Sequence, residues 1–149
     1  MDSLESRIEM TQFRLVKSIF EMRGKDEAPP AGDSVAIAVS LKNNGEFSED
    51  GRRATFIQRL QTLELEGSPF NMDIEFAAVF HLDPPPMPLA WPNYVRQIFP
   101  RMVFPHLRDY VADLTRRGGF SPLNLSQNLF EDEEARLLES VPGDNKWIH

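Results

Sequence analysis

The longest unbroken alternation in the chain is "FNMDIEFAAVFHL", residues 70–82, where Phe70, Met72, Ile74, Phe76, Ala78, Phe80 and Leu82 take every second position. A period of two is that of a strand with one dry face. The opposite face carries Asn71, Asp73, Glu75, Ala77, Val79 and His81; it begins acidic and polar and turns mildly apolar, so it can meet water or a partner. "SVAIAVSL" alternates Val35, Ile37, Val39 and Leu41 with small residues and predicts another strand, and the "NNGEFSEDGRR" that follows has turn and loop chemistry. A strand-like run from Arg53 to Leu65 leads into Gly67 and Ser68, which predicts a hairpin with the strand after Pro69. With those two residues as the loop, Leu63 and Leu65 point to the same side as Met72 and Phe70, and Arg59 turns inward. "TQFRLVKSIFEM", residues 11–22, keeps no single period. Phe13, Leu15 and Ile19 share one parity, Val16, Phe20 and Met22 the other, and a helical spacing of Leu15, Ile19 and Met22 fits almost as well. Strand and helix both stay open there.

"DPPPMPLAWP", residues 83–92, holds five prolines, which remove backbone donors and push their predecessors toward extended geometry; a long crossover loop without regular structure is expected. Beyond it the period changes. Pro105 suits a first helical position, Phe104, Leu107, Val111 and Leu114 recur at helical spacing with Tyr110 beside them, and Arg108, Asp109, Asp113 and Arg116 take the other side. Arg116 and Arg117 suit a helix C-terminus, and Gly118 or Gly119 can supply the left-handed cap. Asn128 and Glu131 have capping-box spacing before Phe130, Leu137, Leu138 and Val141, which predicts a second helix over 128–141. Strands followed by helices, in that order, indicate an antiparallel α+β fold. At 149 residues the expectation is one domain, 1–149, with a short flexible tail after about residue 142.

Composition narrows the partners. With 23 acidic against 16 basic residues the chain carries −7, a field that disfavours nucleic acid and anionic lipid. The absence of cysteine excludes thiolate nucleophiles and Cys-based zinc sites. "MDSLESRIEM" has no signal-peptide pattern and nowhere do 18 apolar residues run together, so a cytoplasmic protein without membrane insertion is expected. No nucleophile elbow, phosphate loop, dinucleotide fingerprint or zincin motif occurs, which points away from an enzyme, a cofactor and a metal. His81 with Asp83 reads as a strand-end polar pair rather than metal ligands, and His106 as a surface residue. Helix capping accounts for the acidic run 131–134 without calcium. Asp73 and Glu75 share a strand face, as paired catalytic carboxylates would, but a solvated or docking face explains them more simply. The unusual feature is apolar material in polar surroundings: Met87, Leu89, Trp91 and Tyr94 in or after the proline segment, and Trp147 and Ile148 in the tail. Such residues either close over the core or line a groove for extended peptide.

"FPHLRDYVADLTRRGGFSPLNL", residues 104–125, resembles the signature of the SecB family of protein-export chaperones: Phe104-Pro105 opening the helix, Arg108-Asp109 following, Arg117 to Phe120 closing it, and Leu123 to Leu125 after it. The order of strands, crossover and helices agrees over nearly the whole chain. The resemblance implies a four-stranded antiparallel sheet packed on the long helix plus the second C-terminal helix, assembled as a dimer of dimers, hence a homotetramer, and an ATP-independent holdase for unfolded or presecretory polypeptides. It places client contacts at Met87, Leu89, Trp91, Leu137, Leu138 and Val141. It also implies docking of the SecA motor on an acidic sheet face, here Asp73 with Glu75 and Glu64. Two departures put SecA docking in question: Ser18 stands where an acidic residue is usual, and "SQNLF" follows Leu125. "EFAAVF" looks more like the divergent SecB-like chaperones dedicated to an antitoxin. A non-chaperone interaction module and a carboxylate hydrolase are the rival expectations.

Overall fold

The structure is a computed structural model that describes residues 6–22, 35–63, 69–120, 122–125 and 136–140. Five antiparallel strands form one sheet: β1 (Arg7–Met22), β2 (Val35–Phe47), β3 (Arg53–Thr62), β4 (Phe70–Asp83) and β5 (Arg136–Ser140), in the order β1-β4-β3-β2-β5. One long helix, Phe99–Arg117, packs against it. β4 behaves as its alternation predicts: Phe70, Met72, Ile74, Phe76, Ala78, Phe80 and Leu82 are all buried against the helix side. Phe99 joins them at the start of the long helix, its ring stacked on Phe80 with centroids 4.2 Å apart. Full burial of each such side chain contributes roughly 1.5–3 kcal/mol, so this seam dominates the core.

β1 is a strand, and its mixed parity has a structural cause. Its register against β4 slips between Met10 and Gln12 and again between Leu15 and Lys17. Each slip inserts one extra residue, Thr11 and then Val16, and reverses which parity faces the core. Ile8 and Met10, then Phe13 and Leu15, then Ser18 and Phe20 therefore lie opposite the inward residues of β4 in succession. Thr11 Oγ1 donates to the Val79 carbonyl across the first bulge.

Further expectations are corrected. The β3–β4 pairing places Leu60 opposite Ile74 and Arg59 opposite Glu75, one residue away from the register of a two-residue loop at Gly67-Ser68. Because the side-chain period is two, that slip puts Ala54, Phe56 and Leu60 inside and Arg59 outside. Desolvating a guanidinium against Phe76 would cost several kcal/mol, which decides the register. The "NNGEF" segment belongs to β2 rather than to a loop: Asn43 faces inward and accepts a 2.9 Å hydrogen bond from the Gln58 side chain, while the turn is confined to Ser48–Arg52 and held by Ser48 and Asp50. Gly51, at φ 72°, makes that turn possible.

The proline segment is helical sooner than expected. After Asp83 the chain has no regular structure as far as Met87, makes a 3-10 turn at Pro88–Ala90, a short α-helical turn at Trp91–Asn93 and a π turn at Tyr94–Ile98, and then enters the long helix. Pro88 and Pro92 fall at first-turn positions, where the missing N–H has no partner to lose. Pro105 thus lies inside the helix instead of opening it. At the other end the left-handed residue is Gly119, φ 93°, and the amides of Gly119 and Phe120 reach back to the Arg116 and Thr115 carbonyls. Thr115 Oγ1 then accepts from the Leu123 amide, which pins the buried Leu123–Leu125 segment to the helix end.

The second helix over 128–141 is not what forms at Arg136–Ser140. Those residues are strand β5, paired with Val35–Val39 of β2, where they satisfy backbone groups that an open edge would leave bare. Adjacent Leu137 and Leu138 fit a strand as readily as a helix, so helical spacing alone could not choose. Residues 128–135 and Val141, and the tail with Trp147 and Ile148, lie outside the described residues.

Candidate functional site

A furrow of about 590 Å³ opens where the end of β2 meets the lead-in to the long helix. Gly45, Glu46 and Phe47 form one wall; Pro88, Trp91, Pro92, Val95 and Arg96 form the other. Gly45 permits the close approach of the two walls, since a Cβ there would lie 2.9 Å from a Val95 methyl carbon. Phe47 and Trp91 stack with centroids 4.6 Å apart and planes within 5°, and Tyr94 meets Phe47 edge-on. The indole N–H donates to the Pro86 carbonyl, 3.2 Å, so the ring is held by its edge as well as its face. The exposed charges Glu46 and Arg96 stand at the rim. This is an apolar slot with polar margins, the type of site that takes apolar side chains from an extended chain.

Of the side chains that sequence reasoning singled out, Trp91 is half-buried in the furrow wall. Met87 and Leu89 flank Pro88 and are 74% and 92% exposed. Burying one such side chain against an apolar partner gains roughly 1.5–3 kcal/mol, and nothing in the described fold does so. β2 also presents backbone: β5 covers only Val35–Val39, so among the described residues the Ser40–Phe47 edge beside the furrow has no neighbouring strand. Leu137 and Leu138 lie in β5 at the far end of that edge, opposite Ala38 and Ile37. Val141 and Glu64 fall outside the described residues. Gly45, Phe47, Val95 and Arg96 escaped the sequence reading. The only signal was an aromatic two residues after a glycine in a segment that looked like a turn.

Asp73 and Glu75 occupy the outer face of the sheet, away from the helix, and there they are not free. Arg59 grips both oxygens of Asp73 at 2.9 and 2.8 Å, Lys17 reaches the same carboxylate at 2.9 Å, and Glu75 lies 4.0 Å from Arg59. The bidentate hydrogen bonds from Arg59, helped by Lys17, hold the Asp73 carboxyl down at about 2 against its own partial desolvation, and they raise the Arg59 guanidinium. A carboxylate so engaged is a poor general base. Ser18 does not belong to this face: it lies opposite Ile74 on the helix side, its hydroxyl 2.7 Å from that of Tyr110. His106 rests on the Phe13 ring, centroids 4.5 Å apart, and Asp83 meets Arg52 rather than His81. Among the described residues no three His, Asp or Glu side chains cluster as metal ligands, and no helix is long and apolar enough to cross a membrane.

This chain is similar to several known proteins. Residues 20–133 match the family described as preprotein translocase subunit SecB. The protein-export protein SecB of Roseobacter denitrificans is 39% identical over 75 residues, 48% of this chain and 45% of that one. Its counterpart in Paracoccus denitrificans is 29% identical over 130 residues, 81% and 73% of the two chains. The chain spans about half the length of the first curated relatives it matches. Among solved structures, the SecB-like chaperone of Mycobacterium tuberculosis in complex with a ChAD peptide from the HigA1 antitoxin superposes with a TM-score of 0.66 at 20% identity, covering 80% of this chain and 90% of that one, and so shares the fold. Since the family match runs from the end of β1 through the proline turns and the whole long helix, the chain belongs to the SecB family.

Proposed function

We propose that this chain is an ATP-independent holdase that binds unfolded polypeptide in extended form along the furrow beside Trp91. The observation that carries this reading is the exposure of Met87 and Leu89 next to an apolar slot and an uncovered strand edge. An extended client can pair its backbone with the Ser40–Phe47 edge while alternate side chains enter the slot, the mode of strand addition. Such contacts are weak singly and indifferent to sequence, so broad capture comes from several of them on one assembly. Self-association into the homotetramer expected of the family is supported by Leu15, Val16, Ile19 and Met22, which are exposed on β1, an edge strand of the sheet among the described residues. Its place of action in this reading is the cytoplasm, ahead of export.

Light scattering of an aggregating substrate provides the test. The protein at stoichiometric excess suppresses aggregation, and the Leu89→Asp, Trp91→Asp pair does not; absence of suppression by the unaltered protein overturns the reading. Native mass spectrometry checks the tetramer.

A dedicated antitoxin client is the second reading, and the outer sheet face favours it over SecA-coupled export. The acidic docking surface that SecA would need is occupied by Arg59 and Lys17, and the solved structure that shares this fold carries an antitoxin peptide. Tight binding of one antitoxin segment against weak binding of many presecretory chains separates the two.

A further inference from the structure

No described element covers the outer face of the sheet, and its side chains can be placed row by row from the register. One row across four strands reads Lys42, Arg59, Glu75 and Lys17. Asp73 lies in the next row on one side and Arg14 in the next on the other. In a chain of net charge −7, this patch sets four cations against two carboxylates. Glu21 and Glu46 lie beyond it, toward the two ends of the sheet.

The cations are not equivalent. Arg59 and Lys17 are committed to Asp73. Lys42 stands directly opposite Arg59 in the β2–β3 pairing, an arrangement of like charges that costs stability unless an anion joins it. Arg59 turns to Asp73 on its other side, which leaves exposed Lys42, and likewise exposed Arg14, with no carboxylate among the described residues. We propose that the outer face of the sheet docks an acidic segment of a partner protein, with Lys42 and Arg14 as the recruiting charges and the Lys17–Asp73–Arg59 cluster as their fixed frame.

The pattern selects the partner's chemistry. Strands lie about 4.8 Å apart, so Lys42 and Lys17 are separated by roughly 14 Å, the span of about four extended residues. A polypeptide can place carboxylates at such intervals and leave Asp73 and Glu75 facing neutral or basic positions. A nucleic acid cannot, because its evenly spaced phosphates would meet both carboxylates as well as the field of the whole chain. A basic partner meets Lys42 and Arg14 first and is repelled.

The inference does not depend on the holdase reading and can be tested apart from it. The full chain is titrated by fluorescence anisotropy at low ionic strength with a labelled Glu-Ser repeat peptide, its Lys-Ser counterpart and a short single-stranded DNA. The Glu-Ser peptide binds, and the Lys42→Glu, Arg14→Glu pair weakens it by roughly tenfold or more. Leu89→Asp leaves that binding unchanged, which separates this face from the furrow. The Lys42→Ala, Arg14→Ala pair weakens binding in the same direction, should charge reversal disturb folding. Failure of the Glu-Ser peptide to bind, equal binding by the substituted chains, or equal binding of the Lys-Ser peptide or the DNA overturns the proposal.

Discussion

Among the described residues β2 supplies two uncovered surfaces, one on each of its faces, and they differ in their physics. Toward the helix, Gly45 and Phe47 help form an apolar slot whose attraction grows with the area removed from water, requires no charge pattern and is not screened by ions. Toward solvent, Lys42 joins a mixed-charge face whose attraction depends on pattern and fades as ions screen it. The alternation of a single strand thus places an apolar surface at Gly45 and Phe47 and a charged one at Lys42, three to five residues apart on opposite faces. Under the two proposals, capture of many chains and recognition of one partner do not compete for the same side chains.

Phe99→Ala should break the comparison most severely, because both surfaces rest on the same core. Phe99 stacks on Phe80 and packs against Phe56, Phe47 and Tyr94, so its loss should cost about 3–5 kcal/mol in urea unfolding. A loss of under about 1 kcal/mol would show that the furrow wall is not held by this core.

Next in size, Leu89→Asp with Trp91→Asp should weaken capture of an unfolded client by roughly ten- to a hundredfold, or about 1.4–2.8 kcal/mol, and leave the Glu-Ser peptide bound. Equal losses at both surfaces would collapse the distinction.

Asp73→Asn should affect the outer face alone. It leaves Arg59 and Lys17 without their shared carboxylate and should cost roughly 1–2 kcal/mol at neutral pH after allowance for solvent screening. Asp73 is depressed from 3.8 to about 2, so its stabilisation is fully present above 3.8 and is lost as pH falls through about 2. The unaltered protein should lose that increment on acidification across this window and the variant should not; parallel acid limbs in chemical denaturation would refute the role. The smallest effect expected is that of salt on the furrow: near 1 M, where the screening length is about 3 Å, client capture should change less than about twofold.

Much of this fold could be read from the chain. β4 and the helix stripe Phe104, Leu107 and Val111 needed only one period each, and Gly119 caps the helix as its sequence context suggests. What was not legible depended on partners distant in sequence. The register of β3 turned on whether Arg59 could be buried beside Phe76, which a turn motif cannot report. The parity of β1 turned on two bulges that exist only against β4. Arg136–Ser140 became a strand because the edge of β2 at Val35–Val39 was there to receive it. At the site, Trp91 could be suspected from its setting among prolines. Phe47 and Val95 could not, because a glycine that allows two elements to touch looks the same in sequence as one that turns the chain.

Thr11 and Val16 stand outside the β1–β4 pairing, and this governs how the strand can change in length over evolution. Deleting either residue would straighten the strand and keep every remaining side chain on its present face. Deleting a paired residue away from the bulges, such as Phe20, would turn Glu21 toward the core and Met22 away from it. Gene-level insertions and deletions in this strand should therefore gather at those two positions, and alignments that place gaps elsewhere in it would be misaligned.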